Sequence, residues 1–228
     1  MKTRILGFLK LAISVVAVAV SAHAGATALV MGDTSGNNQT DVEGTINYSV
    51  SASGSDSYVF SFTLQNTTTL TGTRLTGIAF DLLDNATQTG HTSPSGWGFD
   101  GTSPTLPGEP LAFDVCWYSG PNCGAGGSTG LLNSDPALGG FSVTFTLTGY
   151  SNNAANVEAA YTSGFEDGSL NACVRVISIP KTGEGSGNGA GSDVACADGG
   201  TQVPAPATLA LLGLGALGLG FSRRRKQA

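Results

Sequence analysis

Charge is scarce in this chain, and positive charge scarcer still. Charged residues make up 11% of the 228 positions, and most of the ten cations (Lys2, Arg4, Lys10, Arg223, Arg224, Arg225, Lys226) sit at the two ends. The stretch between holds only Arg74, Arg175 and Lys181 against all sixteen carboxylates, a net charge of −13. Such a surface repels phosphate backbones, which excludes nucleic acid as a partner. Histidine is almost missing: His23 precedes the body and His91 lies in a Pro/Gly/Ser stretch, with no GxSxG turn anywhere. A histidine-based hydrolytic triad therefore has no base with a nucleophile to serve, and His91 reads as an exposed loop residue. There is no CxxC pair either, so the four cysteines do not make a zinc site.

The ends read as targeting segments. MKTRILGFLKLAISVVAVAVSAHA has Lys2, Arg4 and Lys10 before an apolar run from Leu11 to Val20, then Ala22-His23-Ala24. That order predicts a secretory signal peptide over residues 1–24, cut after Ala24, with a cut after Ala28 as the alternative. An uncleaved anchor is disfavoured because the apolar run is short for a membrane span. Export permits disulfides, and Cys116 with Cys123 and Cys173 with Cys196 are the favoured pairs, since each brackets a Gly-rich turn.

Helix-length apolar periodicity is nearly absent from the body between Gly25 and Gln202, whose β-sandwich is expected over residues 25–181, and period-two alternation replaces it. In YVFSFTLQN, Tyr58, Phe60, Phe62 and Leu64 share one face; in FSVTFTLTGY, Phe141, Val143, Phe145 and Leu147 do, with Ser142, Thr144, Thr146 and Thr148 opposite. Weaker strands are expected at 44–50, 73–83, 111–118, 157–163 and 170–179. Some seven short strands with Gly, Asn, Asp and Pro turns predict an all-β antiparallel sandwich, jelly-roll-like or Ig-like. The longest loops fall at 84–110 and 119–139, and residues 182–202 read as a disulfide-tied Gly-rich loop and linker.

Chemistry is thinly signalled. Glu109, Asp114, Glu158, Glu166 and Asp167 are carboxylates available to a glycosidase, but no spacing singles out a pair. A structural calcium is conceivable at Asp33–Asp41 or at Phe165–Ser169, where Asp and Asn also make turns for local reasons. No other metal or cofactor is expected. Trp97 is the candidate exposed ring for stacking on a sugar, because Trp117 alternates inward with Phe113 and Val115. Sequons at Asn38, Asn47, Asn66 and Asn85 would mark surface positions if glycosylated.

The tail, residues 203–228, is VPAPATLALLGLGALGLGFSRRRKQA. The charge-free run from Ala207 to Phe221 spans about 22 Å as a helix, short of a bilayer core of about 30 Å, and four glycines weaken it further. Arg223, Arg224, Arg225 and Lys226 would hold its end on the cytoplasmic side. Pro204 and Pro206, the Leu/Gly helix from Thr208 and the basic end together resemble the PEP-CTERM sorting signal, with Ala205 where that family has Glu. The resemblance implies an exported bacterial protein with exosortase as partner, held in the inner membrane transiently through its C-terminal transmembrane helix and then delivered to the periplasm, the outer surface or the extracellular matrix. It implies no enzyme. A structural or adhesive component of the exopolysaccharide or biofilm matrix is the leading expectation, and a carbohydrate-binding module using Trp97 is the alternative. An extracellular glycosidase ranks below both.

Overall fold

A computed structural model of the chain describes residues 26–32, 42–107, 111–125, 129–179 and 191–197. The strands are β1 (Thr27–Gly32), β2 (Glu43–Gly54), β3 (Ser57–Asn66), β4 (Arg74–Phe80), β5 (Thr87–Thr92), β6 (Gly98–Asp100), β7 (Val115–Tyr118), β8 (Leu131–Leu132), β9 (Leu138–Thr146), β10 (Ala172–Ile179) and β11 (Gly191–Cys196). One helix, α1 (Ala154–Asp167), stands between β9 and β10. All the strands belong to one antiparallel sheet in the order β5-β9-β3-β2-β1-β11-β10-β4-β7-β6, with β8 on β4.

The expected two-sheet sandwich is thus replaced by a single sheet curled nearly into a barrel. Closure follows from connectivity, because the outermost strands β5 and β6 are neighbours in sequence, joined by residues 93–97. At this seam His91 lies parallel to Phe99 with centroids 3.9 Å apart, and Trp117 Nε1 donates to the Thr92 carbonyl at 2.9 Å. Residues 84–110, expected as a long loop, therefore contain two strands. A sandwich and a curled sheet both bury one face of each strand, so alternation alone does not separate them.

The buried faces meet in an aromatic interior. Tyr48 pairs with Phe62, Phe60 with Val143 and Phe62 with Phe141 across neighbouring strands. Phe62 stacks on Phe141 at 4.9 Å and meets Trp117 edge-on at 5.2 Å, while Phe80 stacks on Trp117 at 5.7 Å. Each such pair is worth about 0.5–1.5 kcal/mol beyond the area it buries.

Residues 157–163, expected as a strand, belong to α1. The wider frame shows why: Val157, Tyr161 and Phe165 recur at four-residue spacing and are buried, Asn153 caps the start by accepting from the Asn156 N–H, and Gly168 ends the helix at φ 75°. Residues 191–196, expected as part of a loop and linker, are β11, set between β1 and β10. β1 itself went unforeseen. It starts at Thr27, so a cut after Ala24 leaves it whole, whereas a cut after Ala28 would take two residues from it.

Both disulfides lie on the outer side of this sheet. Cys196, Cys173, Ala79 and Cys116 occupy successive strands in one cross-strand row, with Cys173 bonded to Cys196 and Cys116 to Cys123. Leu106, Phe113 and Val194 cover them as a second, small apolar cluster. Loop-closure entropy assigns about 2.5 kcal/mol to the shorter bridge and about 3.4 kcal/mol to the longer. Replacing Cys173 and Cys196 together by Ala should lower unfolding free energy by about 3 kcal/mol in urea titrations under oxidising conditions. An unchanged midpoint would show that the bridge does not staple β11.

Candidate functional site

The outer faces of β2, β3, β9 and β5 form the site. Cross-strand register sets their side chains in rows: Asn47 and Thr63; Ser49, Ser61, Ser142 and Thr92; Ser51, Val59, Thr144 and Gly90; Ser57, Thr146 and Thr87. No ionisable group stands in these rows, on a body whose net charge is −13. Rows of this kind arise because the inner positions of the same strands take the large apolar residues, leaving alternate positions to β-compatible polar ones.

A bulge hollows the face. The β3–β9 register moves from Phe62 opposite Phe141 to Leu64 opposite Leu138, so Gly139 and Gly140 together face Thr63. Gly140 sits at φ 94°, a conformation that glycine adopts without strain. Neither glycine carries a side chain, and an open trough of about 450 Å³ lies here, lined by Asn47, Ser49, Ser61, Thr63, Thr92 and Ser142. At its edge Thr92 Oγ1 donates to the Gly140 carbonyl at 3.0 Å and lies 2.8 Å from Ser142 Oγ.

Trp97 is placed differently from the expectation. Its ring is half-buried, edge-on to Phe141 at 5.2 Å and packed against the interior, so it is not an exposed platform. Trp117 is fully buried, as its alternation implied. His91 is exposed, but it belongs to β5 and rests on Phe99. Of the sequons, Asn66 is no surface position: it is buried, and its Nδ2 donates to the carbonyls of Thr73 and Leu131. Asn47 lines the trough, Asn85 is exposed at φ 64°, and Asn38 lies outside the described residues.

Of the carboxylates named from sequence, Glu158, Asp114 and Asp167 hold the fold, and Glu166 is exposed on α1. β2 runs on past Thr27, where β1 begins, and the Val50 N–H there donates to Glu158 at 3.0 Å; Thr27 Oγ1 donates to the other Glu158 oxygen at 3.1 Å. Asp114 accepts from the Leu82 N–H at 2.8 Å, and Asp167 from the Ser169 N–H at 2.9 Å, a turn that closes α1. The second bond, with the Ser169 hydroxyl, keeps the exposed Asp167 below the usual carboxylate value. Asp81 is the reverse: burial raises its pKa, outweighing the Asn171 N–H and Nδ2 that donate to it at 2.9 and 2.8 Å, and Asp114 adds to the rise. Arg175 is buried on β10, and burial lowers its pKa; its Nε and Nη1 have no hydrogen-bond partner among the described residues and are closed to solvent. Glu109 and Asp33–Asp41 lie outside the described residues, and among those described no three His, Cys, Asp or Glu side chains cluster to hold a metal.

The protein-family model of the PEP-CTERM protein-sorting motif matches residues 202–226. The chain carries a PEP-CTERM protein-sorting motif at this end. The match takes in Pro204, Ala205, Pro206 and Arg223–Arg225, and the motif implies an exported protein that exosortase processes at the membrane. No curated protein and no solved structure matches. The expected signal peptide, the expected linker outside β11 and the expected C-terminal helix lie outside the described residues; among those described, no helix is long and apolar enough to cross a membrane. The sequon at Asn47 marked that residue as a surface position but not as part of a trough, and nothing singled out Ser61 or Thr63, although the Ser/Thr face of FSVTFTLTGY pointed to the neighbouring strand.

Two measurements separate structural from chemical roles for the carboxylates. Glu158→Ala should cost about 1–3 kcal/mol, because the buried Val50 N–H loses its acceptor, and Glu158→Gln should recover much of that. Equal stability of all three proteins in urea would remove Glu158 from the fold's support. Asp81 binds its proton more tightly folded than unfolded, so its contribution is greatest in acid and is lost as pH rises through the folded value. Asp81→Asn should therefore match the parent well below pH 3.8, the ordinary value, and gain on it progressively above. A constant difference across the pH range would contradict the assignment.

Proposed function

We propose that this exported protein is a non-enzymatic component of the cell surface or exopolysaccharide matrix, delivered there by its sorting tail. The observation that carries the reading is the uncharged face, set mostly with Ser and Thr hydroxyls, on an otherwise acidic body. Adhesion to a hydrated polymer needs many individually weak polar contacts more than one deep pocket, and a rigid sheet presents them at fixed spacing. The two disulfides suit an oxidising compartment outside the cytoplasm. Glu158 and Asp114, offered from sequence to a glycosidase, accept hydrogen bonds from backbone N–H groups instead of standing free, which favours binding over hydrolysis.

The sorting motif also supplies a path. Proline disfavours helix at the residue before it, so Pro204 and Pro206 favour an extended backbone there, open to a processing enzyme. The test is fractionation of cells with and without exosortase, with mass spectrometry of the chain's C-terminus. With the enzyme, a chain shortened within residues 203–228 should be recovered from the surface or matrix fraction; without it, the full tail should remain with the inner membrane. Recovery of the intact tail in both strains would sink the sorting step, and a processed chain found only free in the medium would sink the matrix role.

A further inference from the structure

The trough has unused hydrogen-bonding capacity. Thr92 and Ser142 bond each other, but no hydrogen bond within the described structure engages the side chains of Asn47, Ser49, Ser61 or Thr63, all half-buried and all on its lining. Hydroxyls donate and accept alike, and the Asn carboxamide does both through separate atoms. What faces the trough therefore meets neutral donors and acceptors set beside apolar surface from Ala26, Phe62 and Phe141, which also line it.

Three classes of occupant fit poorly. A protein partner needs an apolar centre to its interface; among the described residues Leu111, at 40% exposure, is the one large apolar side chain classed as exposed, and it is not on this face. An anionic polymer meets a body of net charge −13 with no cation in the trough. A metal cation meets no carboxylate there. An uncharged polyhydroxyl chain is favoured: its groups exchange bonds with water for bonds of the same kind, and, unlike an anionic polymer, it is not repelled by the net negative charge. The volume lies within the range of roughly 300–1,000 Å³ usual for ligand sites, and the glycines let a ligand approach the β9 backbone closely.

We propose that the trough over the Gly139-Gly140 bulge is a subsite for a segment of uncharged polysaccharide, held by Asn47, Ser49, Ser61 and Thr63. The assignment rests on the matrix reading above and names its ligand class and contact residues. Recognition runs through hydroxyls without an aromatic platform, so a single segment binds weakly, and avidity comes from a polymer that engages many copies of the protein.

The experiment is affinity electrophoresis of the mature protein from its own host, through gels containing dextran, galactomannan or a mixed-linkage β-glucan, with alginate as the anionic polymer. At least one neutral polymer should retard the protein and alginate should not. Ser61→Tyr fills the trough from the centre row. Gly139→Thr fills it from the bulge, where an added Cβ would lie 3.5 Å from Thr63 Cγ2, an ordinary contact. Each should weaken the apparent affinity at least tenfold, while Ser53→Tyr, near the β2–β3 hairpin end, should not; unfolding midpoints identify any variant that fails to fold. Retardation unchanged in both filled variants, preferential retention by alginate, or no retardation by any neutral polymer overturns the subsite. If the subsite falls while the processed protein still fractionates with the matrix, the matrix role stands alone. If binding is confirmed for a protein that never reaches the matrix, the failure belongs to the matrix reading.

Discussion

The closure of one sheet around an aromatic interior governs this body. A single antiparallel sheet has two free edges, and here the edges, β5 and β6, are held side by side by a five-residue connection and by the rings that bridge the seam. Curling the sheet gives it an inside that large side chains must fill. Tyr48, Phe60, Phe62, Phe80, Trp117, Phe141 and Phe145 do so, with Tyr161 and Phe165 reaching in from α1. Trp97 and Phe99 are drawn in as well, at the seam. An interior that takes this many rings leaves few for the surface, and a site on the outside has to be built from small polar residues.

Two local departures from strand regularity shape that outside. At the β9 bulge two glycines oppose one threonine, and the face loses side-chain volume where its hydroxyl rows are most continuous. Beyond the Thr27–Tyr48 pair Glu158 accepts from the Val50 N–H, so α1 is fastened to the sheet by a carboxylate as well as by Val157 and Tyr161. The first departure opens a surface and the second closes one. Both occur where the ladder of backbone hydrogen bonds is interrupted, the places where a sheet gains freedom to present something other than itself.

Legibility from sequence followed the range of the interaction. Strands β3 and β9 carry their signal in their own residues, as alternating Phe and Ser or Thr, and were readable. The helix was hidden within a window of seven residues, because Val157, Ala159 and Tyr161 alternate; Asn153 and Gly168, just outside that window, carry the caps that decide it. β1 and β11 are short and owe their place to pairing with strands far away in sequence, Thr27 with Tyr48 and Cys173 with Cys196, which no local pattern contains. Closure was invisible for the same reason. The trough was harder still, since Gly139-Gly140 reads as a turn signal until the register of β3 against β9 is known. Only the tail could be read whole, because a sorting signal is recognised as a linear string and needs no partner elsewhere in the chain.

The distribution of charge ties the address to the surface. Arg223, Arg224 and Arg225 fall inside the matched sorting motif, the segment for which exosortase processing is implied. Lys2, Arg4 and Lys10 precede Gly25, so the stretch between the two ends holds three cations against sixteen carboxylates. At physiological ionic strength the field of those acids reaches about 8 Å, enough to keep copies of the protein and acidic polymers apart but not to disturb an uncharged ligand in contact. A hydroxyl face that bore even a few carboxylates would lose that distinction. The absence of any ionisable group from rows spanning β2, β3, β9 and β5 is therefore the feature that a generally soluble acidic body does not require and a surface for neutral polymer does.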